Sequence, residues 1–420
     1  MSTSPAPLNR RQVVKLVAVA GAAAVCRPRS LAQSGSRQAG AEAIPQYLET
    51  LARSDGGYGW GEREISHLTP TLGVIGCYHL LQQTPPRTEE LTRYVRRGHP
   101  REIKKLEQER RIFDYQQVQA LAWLRADAAE FGSRIAAITR PLAYMKQYER
   151  HGYPVFQSEL GIVMAYALLG LSAAGIAGTF GPYIEERRRA NGSYNNTPSR
   201  DGGDGHVMNT LWALQARRVF GREVPGKDEQ IAWLRKCQLP GGGFTHAPAP
   251  EAGGVDDIAY TRAALRALQL LGAEPANRAA CVAQIHSLAN ADGGFADRPG
   301  WLSNASATYY ALDALDALGA RDTLATLRRQ PRRTPVTLPA NLKVHTIQIE
   351  SHGQGSPADA VELARSLKID LWGAKNAKPE WLARARALAA ARRVPVKFFP
   401  ANEEYGTWVD VPGLGTYSHT

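Results

Sequence analysis

The sequence predicts a mainly helical protein in which one helix–turn–helix unit is repeated, followed by a small α/β domain in the order β-α-β-α-β. Short glycine clusters followed by an aromatic residue recur along the chain, and each precedes a stretch with apolar residues at helical spacing. The 420 residues, 44% of them apolar, are enough for two folded domains. We place the repeats at residues 45–320, a linker rich in proline and arginine at 321–341, and the α/β domain at 342–420.

Residues 1–32 have the composition of a bacterial signal peptide. Arg10 and Arg11 precede an apolar run at 16–25, and Ser30 and Ala32 place small residues at a cleavage site. The paired arginines indicate the twin-arginine export route. The apolar run is shorter than the roughly 20 residues that a membrane-spanning helix needs. We therefore expect a periplasmic or otherwise exported protein, without a transmembrane span once the signal is removed.

The formal net charge of +12 does not indicate a nucleic-acid-binding protein. Much of it lies in the signal segment and in loop-like or linker-like runs at 87–111, 187–189 and 328–333. Such runs are typical of a solvated face or of attraction to an acidic envelope surface. We therefore expect no nucleic-acid partner.

Four copies of the repeat are clear. Their turns end at Tyr58, Tyr194, Phe244 and Phe295, and the helices that follow begin at Leu68, Val207, Ile258 and Ala305. Glycine permits the positive φ of a tight reversal, so the aromatic side chain can be buried beneath the turn. Because such a unit cannot bury both of its faces alone, the copies must stack into a superhelix or a closed ring.

The segment between the first two clear copies is predicted to contain further helices at 114–129, 134–150 and 160–174. A weaker turn follows the second of these, at 151–156. Counting this weak copy, the pattern gives about five units across residues 45–320. A plain α-solenoid is the alternative to a closed ring.

Gly242-Gly243-Phe244, a loop, Asp257 and the helix start Tyr260-Thr261 together resemble the prenyltransferase and squalene-cyclase repeat, found in terpenoid cyclases and protein prenyltransferases. The resemblance implies an α/α toroid, in which inner helices surround a cavity that holds an isoprenoid chain. It implies an apolar ligand for this chain also. The candidate cavity or turn aromatics are Tyr58, Trp60, Trp212, Tyr260, Tyr309 and Tyr310.

The catalytic groups of these relatives are mostly absent. Protein prenyltransferases bind zinc through an aspartate, a cysteine two residues later and a histidine, but here Asp257 is followed by Ala259, and Ala307 replaces the histidine. The Asp-x-Asp-Asp acid of squalene cyclases is reduced to Asp256 and Asp257, with Gly254 at its first position. These two aspartates are the candidate acid catalysts. Helix capping is their alternative role.

A polar residue four positions before an equivalent threonine gives a second hypothesis. These polar residues are His67, His206, Asp257 and Asn304, with Glu159 near the same place in the weak copy. In a closed ring they would meet at one rim, where His67, His206, Asp257 and Glu159 would suit a divalent metal such as zinc or iron. The alternative is a set of separate helix caps.

The C-terminal segment alternates between strand and helix patterns. Strands are predicted at 342–350, 370–374 and 394–399, with helices between them, as in a small parallel sheet. Its start around His345 resembles the PHP metallo-phosphoesterase domain, but Ile347 replaces that family's second histidine, which indicates a degenerate domain. The remaining candidate ligands are Glu350, His352, Glu403 and His419.

The leading functional prediction is an exported toroid that binds or transforms an apolar, isoprenoid-like ligand in its central cavity. A non-catalytic scaffold for a protein partner is the first alternative. It would be favoured by a cavity plugged by residues 87–111 or by the C-terminal domain. A metal-dependent hydrolase is the third reading, which needs ligands to converge at His67 and His206 or at His345 and His352.

Overall fold

The computed structural model describes residues 38–59, 66–98, 107–143, 155–201, 205–248, 256–299 and 303–327, together with three short strands further on. The predicted signal segment and most of the predicted linker lie outside this part of the chain, as do the helices predicted beyond residue 342. No helix within the described residues is both long and apolar enough to cross a membrane.

The described residues contain twelve α-helices, which alternate between an inner and an outer set. The inner helices are α2 (Leu68–Leu81), α4 (Glu107–Trp123), α6 (Val155–Leu168), α8 (Val207–Val219), α10 (Ile258–Leu270) and α12 (Ala305–Ala317). The outer helices are α1 (Gln38–Thr50), α3 (Thr88–Arg97), α5 (Gly132–Ala136), α7 (Ala174–Glu185), α9 (Lys227–Lys236) and α11 (Arg278–His286). Short 3-10 helices lie at Ala129–Phe131, Ser199–Asp201 and Arg321–Thr326.

The six inner helices form a closed ring. Each contacts the next one along the chain, and α12 returns to contact α2. The outer helices α3, α9 and α11 pack against the inner helices α4, α10 and α12. The 3-10 helix Arg321–Thr326 contacts α1, so the end of the last repeat meets the start of the first. The predicted α/α toroid is confirmed, with six inner helices where the sequence pattern indicated about five units.

The glycine–aromatic turns anchor the outer helices to the ring. The turn aromatics Tyr58, Tyr194, Phe244 and Phe295 are all buried, as the pattern predicts. Gly242 adopts φ +100°, and a Cβ atom there would lie 2.1 Å from the Ala280 carbonyl oxygen on α11. This turn therefore needs glycine for its conformation and for the close approach of α11.

Every inner helix ends at a residue in the left-handed conformation. The following N–H bonds back to the helix in each case, as in a Schellman motif. In four of the helices the left-handed residue just after the last turn is a glycine, namely Gly170, Gly221, Gly272 and Gly319. After α2 and α4 it is Gln82 and Arg125, each with φ 57°. A side chain in this conformation costs roughly 1–2 kcal/mol.

All three helices predicted between the first two clear copies differ from the structure. The helix predicted at 114–129 spans Glu107–Trp123. The helix predicted at 134–150 ends at Ala136, and residues 137–143 are not helical. The helix predicted at 160–174 begins at Val155 and ends at Leu168, because Gly170 supplies its left-handed end. Residues 88–97, within the segment considered as a plug, form the outer helix α3 and so do not fill the ring.

Three strands lie within or beside the predicted C-terminal ones. They are β1 (Thr346–Ile349), β2 (Ala374–Lys375) and β3 (Val396–Phe399), in the order β2-β1-β3. Both pairs are antiparallel, with Ile347 opposite Phe398 in one and opposite Ala374 in the other. The parallel sheet predicted here is therefore wrong. A strand pattern marks extended segments, but it does not show in which direction they pair.

Candidate functional site

The polar residues ahead of the inner helices lie where the sequence places them, and each caps its own helix. His67 Nδ1 accepts from the Thr69 N–H at 3.2 Å, and His206 Nδ1 accepts from the Met208 N–H at 3.1 Å. Asp257 Oδ1 accepts from the Ala259 N–H at 2.9 Å, and Asn304 caps α12 in the same way. The capping alternative is thus present in all four repeats.

A second carboxylate lies beside Asp257 at this rim. The Ile258 N–H donates to the carbonyl of Asp297 at 3.2 Å, which brings the Asp297 and Asp257 backbones together. Asp257 Oδ2 accepts from Arg298 Nε at 3.3 Å, and Asp297 Oδ2 accepts from Asn304 Nδ2 at 2.8 Å. Burial, and then the negative charge of Asp257, raises the pKa of Asp297 well above the ordinary carboxyl value.

Sequence reasoning missed Asp297, although a positional signal exists. Asp297 stands two residues after the turn aromatic Phe295, and His246 stands two residues after Phe244. The Val207 N–H donates to the His246 carbonyl at 2.9 Å, so His246 faces the cap His206 as Asp297 faces Asp257. In these two repeats, the residue two positions after the turn aromatic therefore faces the cap of the preceding inner helix.

Asp256, the other candidate acid, belongs to the turn. Its Oδ2 atom would lie 1.8 Å from a Cβ atom built on Gly243, so its side chain sits directly against the glycine turn. Ser303 occupies the equivalent position in the next repeat and bonds to Asp292 of its own turn at 2.9 Å. Burial raises the pKa of Asp256, and its side chain packs against the turn that precedes α10.

The histidine pair is enclosed by aromatic contacts. The rings of His206 and His246 lie 5.3 Å apart, and Tyr260 presents an edge to each, at 5.5 and 5.8 Å. Burial, and then His246, lowers the pKa of His206 well below its usual value. His206 is therefore a neutral imidazole at physiological pH. Because Nδ1 accepts the capping bond, the proton is on Nε2.

The predicted metal ligands are not assembled. Among the described residues, no three histidine, cysteine, aspartate or glutamate side chains form a group that could hold a metal ion. Glu159 is buried within α6 and forms an ion pair with Arg111. His67, His206 and Asp257 each cap a different helix. The hydrolase reading that depends on His67 and His206 thus lacks its site, and His345 and His352 lie outside the described residues.

Aromatic side chains from non-neighbouring inner helices meet across the lumen of the ring. Tyr115 on α4 contacts Trp212 on α8 with ring centroids 5.2 Å apart, although α6 separates these helices. Trp123 on α4 contacts Tyr309 on α12 at 5.5 Å, across α2. Such contacts require the side chains to lie on the lumenal face. All four remain partly exposed.

Glycines on the inner helices make room for these rings. A Cβ atom on Gly76 of α2 would lie 2.6 Å from the Tyr309 ring, and one on Gly161 of α6 would lie 3.2 Å from Tyr115 Cβ. Glycine at these positions lets the aromatic side chains pack directly against the backbone of the inner helices.

The predicted cavity aromatics divide into three groups. Trp212, Tyr309 and Tyr310 are partly exposed on inner helices, as expected of a lumen. Tyr58 is buried in its turn and donates to Glu49 at 2.8 Å, and Tyr260 packs against the rim histidines. Trp60 lies outside the described residues. Tyr115 and Trp123 were not among the predicted aromatics, because α4 has no clear glycine turn before it.

An ion network lies beside the lumenal aromatics. Arg262 and Arg266 on α10 both donate to Asp313 on α12 at 2.5 Å, and Arg266 also donates to Asp316 at 2.8 Å. The Arg262 guanidinium lies 5.8 Å from the Tyr309 and Tyr310 ring centroids. Burial disfavours ionisation of Asp313, but the two arginines outweigh it and hold its pKa below the usual value.

The fold is similar to several solved structures at low sequence identity. A Candida albicans protein geranylgeranyltransferase-I complexed with GGPP is 14% identical, with 69% of this chain and 93% of that chain covered and a TM-score of 0.49. A Scytonema type II terpene cyclase bound to geranylgeranyl dihydroxybenzoate is 13% identical, with 69% and 98% covered and a TM-score of 0.44. A glycosidase in complex with glucose is 14% identical, with 68% and 97% covered and a TM-score of 0.44.

No curated protein matches the sequence. The match to a family is extensive, since residues 24–121 and 100–334 both match the prenyltransferase alpha-alpha toroid domain. The closed ring of inner helices and the glycine–aromatic turns agree with it. The chain belongs to the prenyltransferase alpha-alpha toroid family.

Proposed function

We propose that the ring binds an apolar, isoprenoid-like ligand among its lumenal aromatics. The observation that carries this proposal is the meeting of Tyr115 with Trp212, and of Trp123 with Tyr309, across the lumen, with all four side chains still partly exposed. Partly exposed aromatic faces inside a ring gain free energy when an apolar chain displaces water from them. Membership of the toroid family supports the same ligand class.

The Asp257–Asp297 pair gives the proposed site a proton donor. The raised pKa of Asp297 keeps a proton on its carboxyl group at pH values where an ordinary aspartate is ionised. Burial is the main reason for the raised pKa of Tyr310, and the negative charges of Asp297 and Asp257 raise it further. The aspartate pair therefore acts electrostatically on a lumenal side chain. Transfer of this proton to a ligand double bond leaves a carboxylate on Asp297 and a carbocation on the ligand. Aromatic faces attract such a cation.

The binding proposal is tested with farnesol and geranylgeraniol as probes. Tryptophan fluorescence is titrated in the wild type, in Trp212→Phe, and in Trp233→Phe as a matched control on the outer helix α9. We expect quenching that is reduced in Trp212→Phe and unchanged in Trp233→Phe. Equal quenching in the two variants, or none in the wild type, would show that the alcohols do not bind in the lumen.

Proton transfer is tested separately by incubating the probes with wild type and Asp297→Asn. Mass spectrometry is then used to look for isomerised or cyclised products. We expect product from the wild type only, while Asp297→Asn still binds the alcohols. Turnover by Asp297→Asn at the wild-type rate would show that the Asp297 carboxyl group takes no part in proton transfer. The binding proposal would be unaffected.

We also propose that the protein is exported by the twin-arginine route. Support comes from Arg10 and Arg11 ahead of the apolar run at 16–25. Cell fractionation of the wild type and of the double variant Arg10→Lys/Arg11→Lys tests it. We expect the wild type in the exported fraction and the variant retained as an uncleaved precursor. Export of both forms would contradict this route.

A further inference from the structure

A cavity of about 570 Å³ opens at the end of the ring where α2 and α4 finish. Its floor includes His79 and Trp123, whose rings stack at 5.5 Å with an interplanar angle of 20°. Trp123 also contacts Tyr309, so this mouth adjoins the lumen from the end opposite the capped rim. The volume is typical of a site for a small molecule.

Both non-glycine helix ends of the ring line this one cavity. Gln82 and Arg125 hold the left-handed position that glycine occupies in the other four inner helices. Each residue therefore places its side chain at the cavity despite the strain of a left-handed backbone. Strain that is retained at neighbouring positions around a single cavity is typical of a functional site.

Most of the polar side chains that line the mouth are uncharged. Gln82 and Gln83 contribute exposed amides, Thr84 a hydroxyl group and Arg125 an exposed guanidinium group, and no carboxylate is among the described lining residues. Arg321, the second arginine of the lining, already pairs with Asp316 at 2.9 Å. The free groups of the mouth are thus mostly hydrogen-bonding groups without charge.

We propose that this mouth binds a saccharide. Amide and guanidinium groups can each bond two adjacent hydroxyl groups, and the stacked rings of Trp123 and His79 add apolar surface to the lining beside them. An anionic ligand fits less well, because the C-terminal ends of α2 and α4 carry partial negative charge towards the mouth. An apolar ligand would leave the amides and the guanidinium group without partners. The proposal does not depend on what occupies the lumen.

The test uses the full mature chain with D-glucose, N-acetyl-D-glucosamine and maltotriose as probes, and inorganic phosphate as a separate arm. Binding is measured by saturation-transfer NMR and by tryptophan fluorescence for wild type, Gln82→Gly and Arg125→Gly. Arg87→Gly is the matched control, because Arg87 also has a left-handed backbone (φ 54°) but does not line the cavity.

We expect at least one sugar to bind the wild type and to bind Gln82→Gly and Arg125→Gly about tenfold more weakly. The melting temperature of these variants should not fall, because glycine accepts this backbone conformation without strain. Arg87→Gly should bind sugar like the wild type, and farnesol binding should be unchanged in Gln82→Gly and Arg125→Gly. The proposal is overturned if no sugar binds, if the variants bind sugar normally, or if phosphate alone binds.

Discussion

The Oγ1 atom of Thr261 accepts a hydrogen bond from the backbone N–H of Phe244 at 3.0 Å. The same bond, also at 3.0 Å, joins Thr71 to Tyr58, Thr210 to Tyr194, and Thr308 to Phe295. All four threonines are buried. The threonine that recurs at each helix start therefore fastens the glycine–aromatic turn to the inner helix.

Replacing Thr261 by valine keeps the shape of the side chain but leaves the buried Phe244 N–H without its acceptor. We expect the free energy of unfolding to fall by about 1–3 kcal/mol, as measured by urea denaturation. Thr326→Val is the control, because Thr326 is exposed and bonds only to a neighbouring carbonyl. Equal effects of the two substitutions would show that the turn bond contributes nothing specific.

Gly76 tests the fit of the aromatic rings against the lumenal wall. An alanine Cβ atom there would press on the Tyr309 ring at 2.6 Å, so we expect Gly76→Ala to lower the free energy of unfolding by about 1–3 kcal/mol. Gly178→Ala on α7 meets nothing within 4 Å and should stabilise the protein by about 0.5–1 kcal/mol. Thermal denaturation of both variants provides the comparison. If Gly76→Ala were as stable as the wild type, Tyr309 would not be held against α2.

Much of the ring was predictable, because the features that define each repeat lie close together in the sequence. The glycine–aromatic turn, the cap and the recurring threonine are all short-range features, so an alignment of the copies was enough to place Phe244, Asp257 and Thr261. Helix α4 was found only in part, since it has no clear glycine turn before it. The number of inner helices was therefore underestimated.

The lumen was harder to predict, because its contacts join residues that are far apart in the sequence. Tyr115 meets Trp212 only because the ring closes, and nothing near either residue signals the other. The pairing of Asp257 with Asp297 likewise depends on how adjacent repeats stack. The position two residues after a turn aromatic can be read from the sequence. Its contact with the cap of the preceding inner helix can be seen only once the repeats are assembled.

The ion network between α10 and α12 predicts that replacing Asp313 strongly lowers the free energy of unfolding. Asp313→Asn removes the negative charge between Arg262 and Arg266, and Arg266 is buried with an exposed side-chain fraction of 1%. Breaking a buried pair in this way typically costs about 3–5 kcal/mol, which urea denaturation would detect. Asp322→Asn, an exposed substitution after α12, should change stability little. A small effect of Asp313→Asn would mean that water reaches the arginines.

The raised pKa of Asp297 predicts a pH dependence of stability. Between the ordinary carboxyl pKa of about 4 and the higher pKa in the folded protein, the folded state holds a proton that the unfolded chain has lost. The free energy of unfolding therefore decreases as the pH rises through this interval. Asp297→Asn cannot ionise and keeps an acceptor for Asn304, so its stability should decrease less over that range. Parallel curves for the two proteins would contradict a raised pKa.

The capping geometry of His206 predicts how the protein responds to chelators and to substitution. His206 Nδ1 is used by the Met208 N–H, so His206→Ala should lose about 0.5–2 kcal/mol of stability, whereas His206→Asn should keep most of it because asparagine is a good cap. EDTA should leave the melting temperature of the wild type unchanged, since the rim residues bond to their own helices and to Arg298 rather than to a shared centre. A melting temperature that falls with EDTA in the wild type but not in His206→Asn would instead assign His206 to a metal.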